Sequence, residues 1–127
     1  MRRTDQRRAA TVALYQSDVT GRPVEETLGR DAKPFTRELV EAVERDRPEL
    51  DELISRHAEG WSLERIAPLE RNILRVGLAE LLHRPDVPAE VAIDEAIEAA
   101  KELCSADAPG FVNGILAAVH REEVASR

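Results

Sequence analysis

The chain has 127 residues, of which 43% are hydrophobic, and its formal net charge is -7. This length can bury one hydrophobic core, so we expect a single domain that spans residues 1–127. The single cysteine, Cys104, excludes an intramolecular disulfide framework and a thiolate zinc cage. No stretch has the apolar length of a signal peptide or a membrane span, which predicts a cytoplasmic protein.

The charge is distributed unevenly along the chain. Residues 1–22 carry five arginines and two aspartates, a net charge of +3, which leaves -10 for residues 23–127. A local arginine cluster on an acidic body can still bind phosphate, because screening limits electrostatic interactions to about 8–10 Å at physiological salt. The alternative is an N-terminal helix whose arginines are only solvated.

The chain begins with a predicted helix. Thr4 or Asp5 is expected to cap it, and apolar residues then recur on one side until about Val19. Gly21 and Pro23 follow, and both are signals that end a helix. The arginines therefore lie in the first turns of this helix.

Three further helical segments are predicted before the middle of the chain. Residues 24–29 are suited to a short helical turn. Apolar residues recur at spacings of three and four over 35–43 and again over 50–57. Pro48 suits the first turn of the later stretch, so we predict two separate helices here, and residues 60–61 end the second.

The clearest apolar stripe covers residues 73–82 and is stopped by the prolines at 85 and 88. Gly77 lies on this stripe, where glycine costs up to about 1 kcal/mol relative to alanine, so we expect a close helix crossing there. Residues 89–103 are apolar over more than half of the helix circumference, which predicts that this helix is the central one. A last helix carries apolar positions over 111–119. Because no segment has a period of two, the predicted fold class is all-α.

Signatures of catalysis are absent from the sequence. There is no Gly-rich phosphate loop, nucleophile elbow or dinucleotide fingerprint, so we expect neither an enzyme nor a cofactor. Glu80 and His83 have the spacing used in di-iron carboxylate bundles, but those sites need the motif twice, and we therefore assign no metal ligand. A helical-bundle metalloenzyme that uses these two residues stays open as an alternative. Cys104 lacks an activating cation and is expected to be a buried, inert thiol.

Four sequence segments, taken in order, resemble the NusB family of bacterial transcription antitermination factors. They are ALY at 13–15, LERNILRVGLAEL at 69–81, VPAEVAIDEAIEAAK at 87–101 and FVNGIL at 111–116. The resemblance spans essentially the whole chain. It implies a compact bundle of about seven helices in two subdomains, acting as one RNA-binding domain. It also implies binding to single-stranded boxA leader RNA together with the ribosomal protein NusE, and entry into the RNA polymerase elongation complex.

The resemblance also implies two groups of RNA-binding residues. The first matches the family's basic N-terminus and consists of Arg2, Arg3, Arg7 and Arg8. Guanidinium groups suit this role because they bind phosphate bidentately and stack on unpaired bases. The second group contains Asp107, which can cap the last helix, and Phe111, whose ring either contacts a base or packs in the core.

Tyr15 and Glu70 match positions that the family uses toward NusE, and an acidic body suits a basic ribosomal protein. The resemblance leaves the oligomeric state open between a monomer and a homodimer that would cover the arginines. A detached NusB-like domain of a ribosomal RNA methyltransferase is a further alternative. That enzyme needs an additional α/β domain with a glycine-rich cofactor loop, which this sequence lacks.

Overall fold

A computed structural model describes residues 2–124, which form helices and connecting turns without a β-strand. Six α-helices lie in this range: α1 (Arg3–Thr20), α2 (Val24–Leu28), α3 (Pro34–His57), α4 (Pro68–His83), α5 (Ala89–Leu103) and α6 (Ala108–Val119). A 3₁₀ turn precedes α4, and a π turn follows α6. None of these helices is long and apolar enough to cross a membrane. The predicted all-α class is confirmed.

The helices pack as two groups on either side of α4. Helix α1 contacts both α2 and α3, α5 and α6 contact each other, and α4 touches members of both groups. The buried apolar side chains form one continuous cluster through both groups. The two groups of helices agree with the expected two subdomains.

Helix α1 ends where the sequence predicts. Gly21 has a φ of +76°, and its backbone N–H donates to the carbonyl of Ser17 at 2.9 Å. This left-handed conformation is accessible to glycine without the steric cost that a Cβ would bring. The chain can therefore turn directly from α1 into the short helix α2.

Helix α3 combines the two helices predicted on either side of Pro48. Its backbone leaves helical geometry at Asp46, where φ is -106° and ψ is 15°, and then resumes. Proline cannot donate to the preceding turn, so a kink at this point is expected. Counted as two segments, α3 brings the six helices to the predicted total of about seven.

The prediction of α5 as the central helix is wrong, because α4 occupies that position. Residues 72–81 of α4 are buried without a break, whereas α5 buries only small side chains, namely Ala92, Ala96, Ala99 and Ala100. Helix α4 packs against α1, α3, α5 and α6, and α5 has its main contacts with α4 and α6. The larger apolar residues of α5 lie beside the alanine face, and Val91 is 39% exposed. The alanines let α5 approach α4 closely. On α5 the small alanines are therefore more deeply buried than the larger apolar side chains.

Gly77 lies at the close crossing that the sequence predicts. A Cβ at this position would lie 3.1 Å from Leu116 Cδ1 and 3.3 Å from Ala96 Cβ. Real Cβ atoms rarely approach other atoms so closely, so even the smallest side chain would require the neighbouring atoms to move. Helices α4, α5 and α6 therefore meet at Gly77.

A polar network joins α1 to α3 and α4. Asn72 Nδ2 donates to Asp18 Oδ2 at 2.9 Å, Arg75 Nη1 donates to the same oxygen at 2.8 Å, and Arg75 Nε donates to Asp51 Oδ1 at 2.7 Å. Burial alone would raise the pKa of Asp18, but the hydrogen bond from Asn72 and the charge of Arg75 outweigh it and lower that pKa. Asp18, near the end of α1, thus contacts the start of α4, whereas Arg7, near the start of α1, contacts Glu80 near the end of α4. The two helices therefore run antiparallel.

Candidate nucleic-acid interface

The first turns of α1 present the four predicted arginines unequally. The Arg2 side chain is 83% exposed, that of Arg3 is 47% exposed, and that of Arg8 is 17% exposed. Arg7 is only 7% exposed. Three of the four arginines can therefore meet a ligand from solvent, and we call Arg2, Arg3 and Arg8 the arginine face.

Arg7 anchors α1 to the central helix. Its Nε donates to Glu80 Oε1 at 2.7 Å and its Nη2 donates to Glu80 Oε2 at 2.8 Å, while the Glu80 side chain is 1% exposed. Arg7 lies three residues before Ala10 and seven before Leu14, so it shares their buried side of α1. This argues against the expectation that Arg7 is available to phosphate, because its side chain is buried and the Nε–Nη2 edge of its guanidinium is bound to Glu80.

The two residues of the alternative metal site have different partners. Glu80 binds Arg7, whereas His83 Nε2 lies 3.2 Å from Asp46 Oδ2 and 3.4 Å from Glu49 Oε1. Among residues 2–124, no group of three or more potential ligands could hold a metal ion. Glu80 and His83 therefore do not form the paired site that the metalloenzyme alternative requires.

The buried ring of Phe35 packs against the arginine face, a contact that the sequence did not indicate. The guanidinium carbons of Arg3, Arg7 and Arg84 lie 4.3, 5.3 and 5.2 Å from the ring centroid. Cations are attracted to the face of an aromatic ring at such distances. Arg3 is thus exposed but held in a defined position.

Carboxylates of the acidic body reach the arginine face. Arg3 Nη1 lies 3.4 Å from Asp86 Oδ2, and Arg8 Nε donates to Glu102 Oε2 at 2.9 Å. Glu95 accepts a hydrogen bond from Thr4 Oγ1 at 2.8 Å. The first turns of α1 are therefore bound to α5 and to the turn after α4 by polar contacts.

The second predicted RNA-binding group lies at the start of α6. Helix α6 begins directly after Asp107, as predicted, but the Asp107 side chain makes no capping hydrogen bond. Its backbone has φ -83° and ψ -17°, which is helical, whereas a capping residue is normally extended. The expected cap is therefore not formed, and the exposed Asp107 carboxylate faces solvent at the helix start.

The Phe111 side chain is neither fully buried in the core nor fully exposed for contact with a base. The side chain is partly buried against the core, and its ring meets that of Trp61 edge to face, with centroids 6.5 Å apart. Trp61 itself is 53% exposed, so the pair presents an aromatic surface to solvent. Sequence reasoning missed Trp61 as a surface feature, although a single tryptophan directly after Gly60 in a loop was the available signal.

Glu70 shares a cleft with the second group of predicted RNA-binding residues. The cleft has a volume of about 320 Å³, and its lining includes Trp61, Glu70, Asp107 and Phe111. Partial burial and the negative charge of Asp107 raise the pKa of Glu70. Tyr15 does not line this cleft and lies, partly buried, on α1. The structure thus brings three of the predicted residues together and leaves Tyr15 on a separate element.

Sequence comparison identifies relatives along most of the chain. A family model described as NusB family matches residues 4–121. The Transcription antitermination protein NusB of Rubrobacter xylanophilus is 43% identical over 122 residues, which cover 91% of this chain and 88% of that protein. The protein of that name from Myxococcus xanthus is 41% identical over 91% of this chain and 91% of that protein. The one from Frankia casuarinae is 60% identical over 85 residues, or 67% of this chain and 63% of that protein.

Solved structures share the fold. NusB of T. maritima superposes with a TM-score of 0.89 at 36% identity, over 96% of this chain and 92% of that chain. A chain in the crystal structure of antitermination factors NusB and NusE in complex with dsRNA superposes with a TM-score of 0.83 at 28% identity, over 94% of this chain and 96% of that one. These similarities confirm the helical architecture that the sequence resemblance implied.

Proposed function

Because this chain belongs to the NusB family of transcription antitermination proteins, we propose that it binds boxA leader RNA together with NusE. The complex then joins the elongating RNA polymerase in ribosomal RNA operons, and the chain acts as a single RNA-binding domain without catalysis. A similar fold in complex with NusE and dsRNA supports the RNA and NusE parts of this proposal. The relatives described above carry the antitermination name, which favours this function over a detached methyltransferase domain.

The observation that carries the proposal is the arginine face on an otherwise acidic chain. Arg2, Arg3 and Arg8 point outward from the first turns of α1, and Arg7 holds those turns against α4. The guanidinium fork matches the geometry of phosphate oxygens. The buried anchor positions the exposed arginines, so a phosphate backbone meets them without first ordering the helix.

The aromatic pair Phe111 and Trp61 provides a second RNA contact in this proposal. The exposed tryptophan ring can stack on an unpaired base, and stacking tolerates any base because each has a π-face. Glu102, which binds Arg8, lies near the end of α5, and the connection from α5 to α6 carries Asp107. The partner of Arg8 therefore lies only a few residues before Asp107 and Phe111 along the chain.

Reversing the charge of two residues of the arginine face is expected to weaken RNA binding. The variant Arg3→Glu/Arg8→Glu should lower the affinity for boxA RNA and make its salt dependence shallower by about 1.4 in the log–log slope, since each lost phosphate contact removes about 0.7. Arg7 is left unchanged because it is buried. The measurement is a titration of labelled leader RNA, with NusE present, at several salt concentrations.

The matched control is Arg22→Glu/Arg45→Glu, which changes the net charge equally at exposed positions outside the first turns of α1. It should lose less affinity than the first variant and keep the slope. Light scattering at the same concentrations establishes whether the free protein is a monomer or a homodimer. Unaltered affinity and slope in Arg3→Glu/Arg8→Glu would show that this face does not bind RNA.

Tyr15 and Glu70 are proposed to contact NusE. Because burial and Asp107 already disfavour the charged form of Glu70, a cationic side chain of a basic partner would relieve repulsion there. We expect Tyr15→Ala and Glu70→Lys each to weaken NusE binding by about tenfold or more, as for residues near an interface centre. Calorimetric titration gives the affinity, and thermal unfolding establishes that the fold is retained.

Glu25→Lys on α2 is the control for the charge reversal, because Glu25 is exposed and lies outside the cleft. It should bind NusE as the parent protein does. Equal NusE affinity for the parent protein, Tyr15→Ala and Glu70→Lys would place the interface on another surface.

A further inference from the structure

Acidic side chains occupy the arginine face in the free protein. Glu102 accepts a hydrogen bond from Arg8 Nε at 2.9 Å, and Asp86 Oδ2 lies 3.4 Å from Arg3 Nη1. We propose that Glu102, with a smaller contribution from Asp86, competes with RNA phosphate for these arginines and so weakens RNA binding by the protein alone. This inference rests on the proposed RNA-binding function and adds a regulatory device to the same face.

The chemistry of Arg8 favours such an exchange. A carboxylate and a phosphate both offer anionic oxygens that a guanidinium binds as a fork. The Arg8 side chain is 17% exposed, and besides Glu102 it lies near Glu95, with Nη1 at 4.0 Å from Glu95 Oε2. A phosphate that binds Arg8 through Nε must therefore displace Glu102.

Exposure makes the displacement of Glu102 reversible. The Glu102 side chain is 61% exposed, so it can rotate into water and be solvated there when phosphate takes its place. Glu80 differs because it is 1% exposed and cannot leave Arg7 without remaining buried as an unpaired charge. One carboxylate therefore locks its arginine, and the other only competes for it.

Asp86 is the weaker competitor because it has another partner. Arg84 donates to both Asp86 oxygens, at 3.1 and 3.0 Å, and this hydrogen bonding lowers the pKa of Asp86. Arg3 adds only long contacts of 3.4 and 3.5 Å, and its guanidinium also lies over the Phe35 ring, at 4.3 Å from the centroid. Release of Arg3 thus changes little, and Glu102 is the residue to test.

The helix α5 supplies a matched control for Glu102. Glu98 lies one turn earlier on α5, is also 61% exposed, and pairs with Lys101 at 3.3 Å instead of with an arginine of α1. The variants Glu102→Gln and Glu98→Gln change the net charge by the same amount on the same helix. Any general effect of a less acidic surface appears in both variants, whereas release of Arg8 appears only in Glu102→Gln.

The experiment is a titration of a labelled single-stranded boxA oligonucleotide with the full chain, without and with NusE. At low ionic strength, we expect Glu102→Gln to bind about two- to fivefold more tightly than Glu98→Gln, the range typical of an exposed ion pair. The difference should shrink at high salt, because screening weakens the Arg8–Glu102 pair itself. In an Arg8→Gln background, the substitution Glu102→Gln should add no more than Glu98→Gln does.

The outcomes distinguish failure of the Glu102 competition from failure of the proposed RNA-binding function. RNA binding by the parent protein with equal affinities for Glu102→Gln and Glu98→Gln would overturn the competition and leave the proposed function standing. A gain that persists in the Arg8→Gln background would also overturn it, because no guanidinium is then released. If the parent protein fails to bind RNA even with NusE, the proposed function and the competition fall together.

Discussion

Replacing Arg7 with methionine is expected to lower the free energy of unfolding by about 3–5 kcal/mol. The reason is that Glu80, at 1% exposure, would keep a negative charge in the interior without the bidentate cation that now binds both of its oxygens. Methionine fills much of the arginine volume, so the lost stability results mainly from the unpaired charge of Glu80 and less from a cavity. Chemical denaturation of Arg7→Met against the parent protein measures the difference.

Two further variants separate the charge effect from other causes. Arg2→Met removes an arginine that is 83% exposed and should change stability by less than about 0.5 kcal/mol. Arg7→Met/Glu80→Leu removes the buried pair together and should recover most of the loss, because no unpaired charge then remains inside. Equal stabilities of Arg7→Met and Arg2→Met would contradict the anchoring role of Arg7.

Leucine at position 77 is expected to destabilise the fold by about 1–3 kcal/mol or more. Even a Cβ at Gly77 would lie 3.1 Å from Leu116 Cδ1 and 3.3 Å from Ala96 Cβ, so a larger side chain must push α4 away from α5 and α6. Because α4 contacts helices of both groups, this displacement disturbs the shared core. Denaturant unfolding and the melting temperature of Gly77→Leu provide the measurement.

Gly114 is the control for Gly77, since it also lies within a helix but a Cβ added to it would meet no atom within 4 Å. Gly114→Ala is expected to stabilise the protein by about 0.4–1 kcal/mol, because alanine restricts the unfolded chain and favours helix. The two glycines should therefore respond with opposite signs. An unchanged melting temperature in Gly77→Leu would show that the crossing has room for a side chain.

Local signals in the sequence were sufficient for the helices and for one packing detail. The turn at Gly21 and the helix break near Pro48 follow from backbone conformation, which acts within a few residues. The glycine on the apolar stripe at position 77 indicated a close crossing, although only the structure shows which helices meet there. The same periodicity predicted the all-α class. The resemblance to the NusB family then depended on the order of four segments along the chain.

The depth of each helix was decided only by tertiary packing. Apolar periodicity identified α5 as central because it counts hydrophobic positions, but α4 is surrounded because α1, α3, α5 and α6 all pack against it. Its buried residues include the polar Asn72, Arg75 and Glu80, which a count of apolar positions scores as exposed. Their burial is tolerated because each is hydrogen-bonded inside the fold.

Within the candidate site, the sequence by itself determined which residue types stand at the start of the chain, and the tertiary structure decided what each can do. Arg7 and Arg8 are adjacent in sequence, yet Arg7 binds a buried carboxylate 73 positions away and Arg8 binds an exposed one 94 positions away. Successive residues of a helix point about 100° apart, so one faces α4 and the other faces α5. The availability of an arginine depends on the burial of its distant partner, which no local pattern contains.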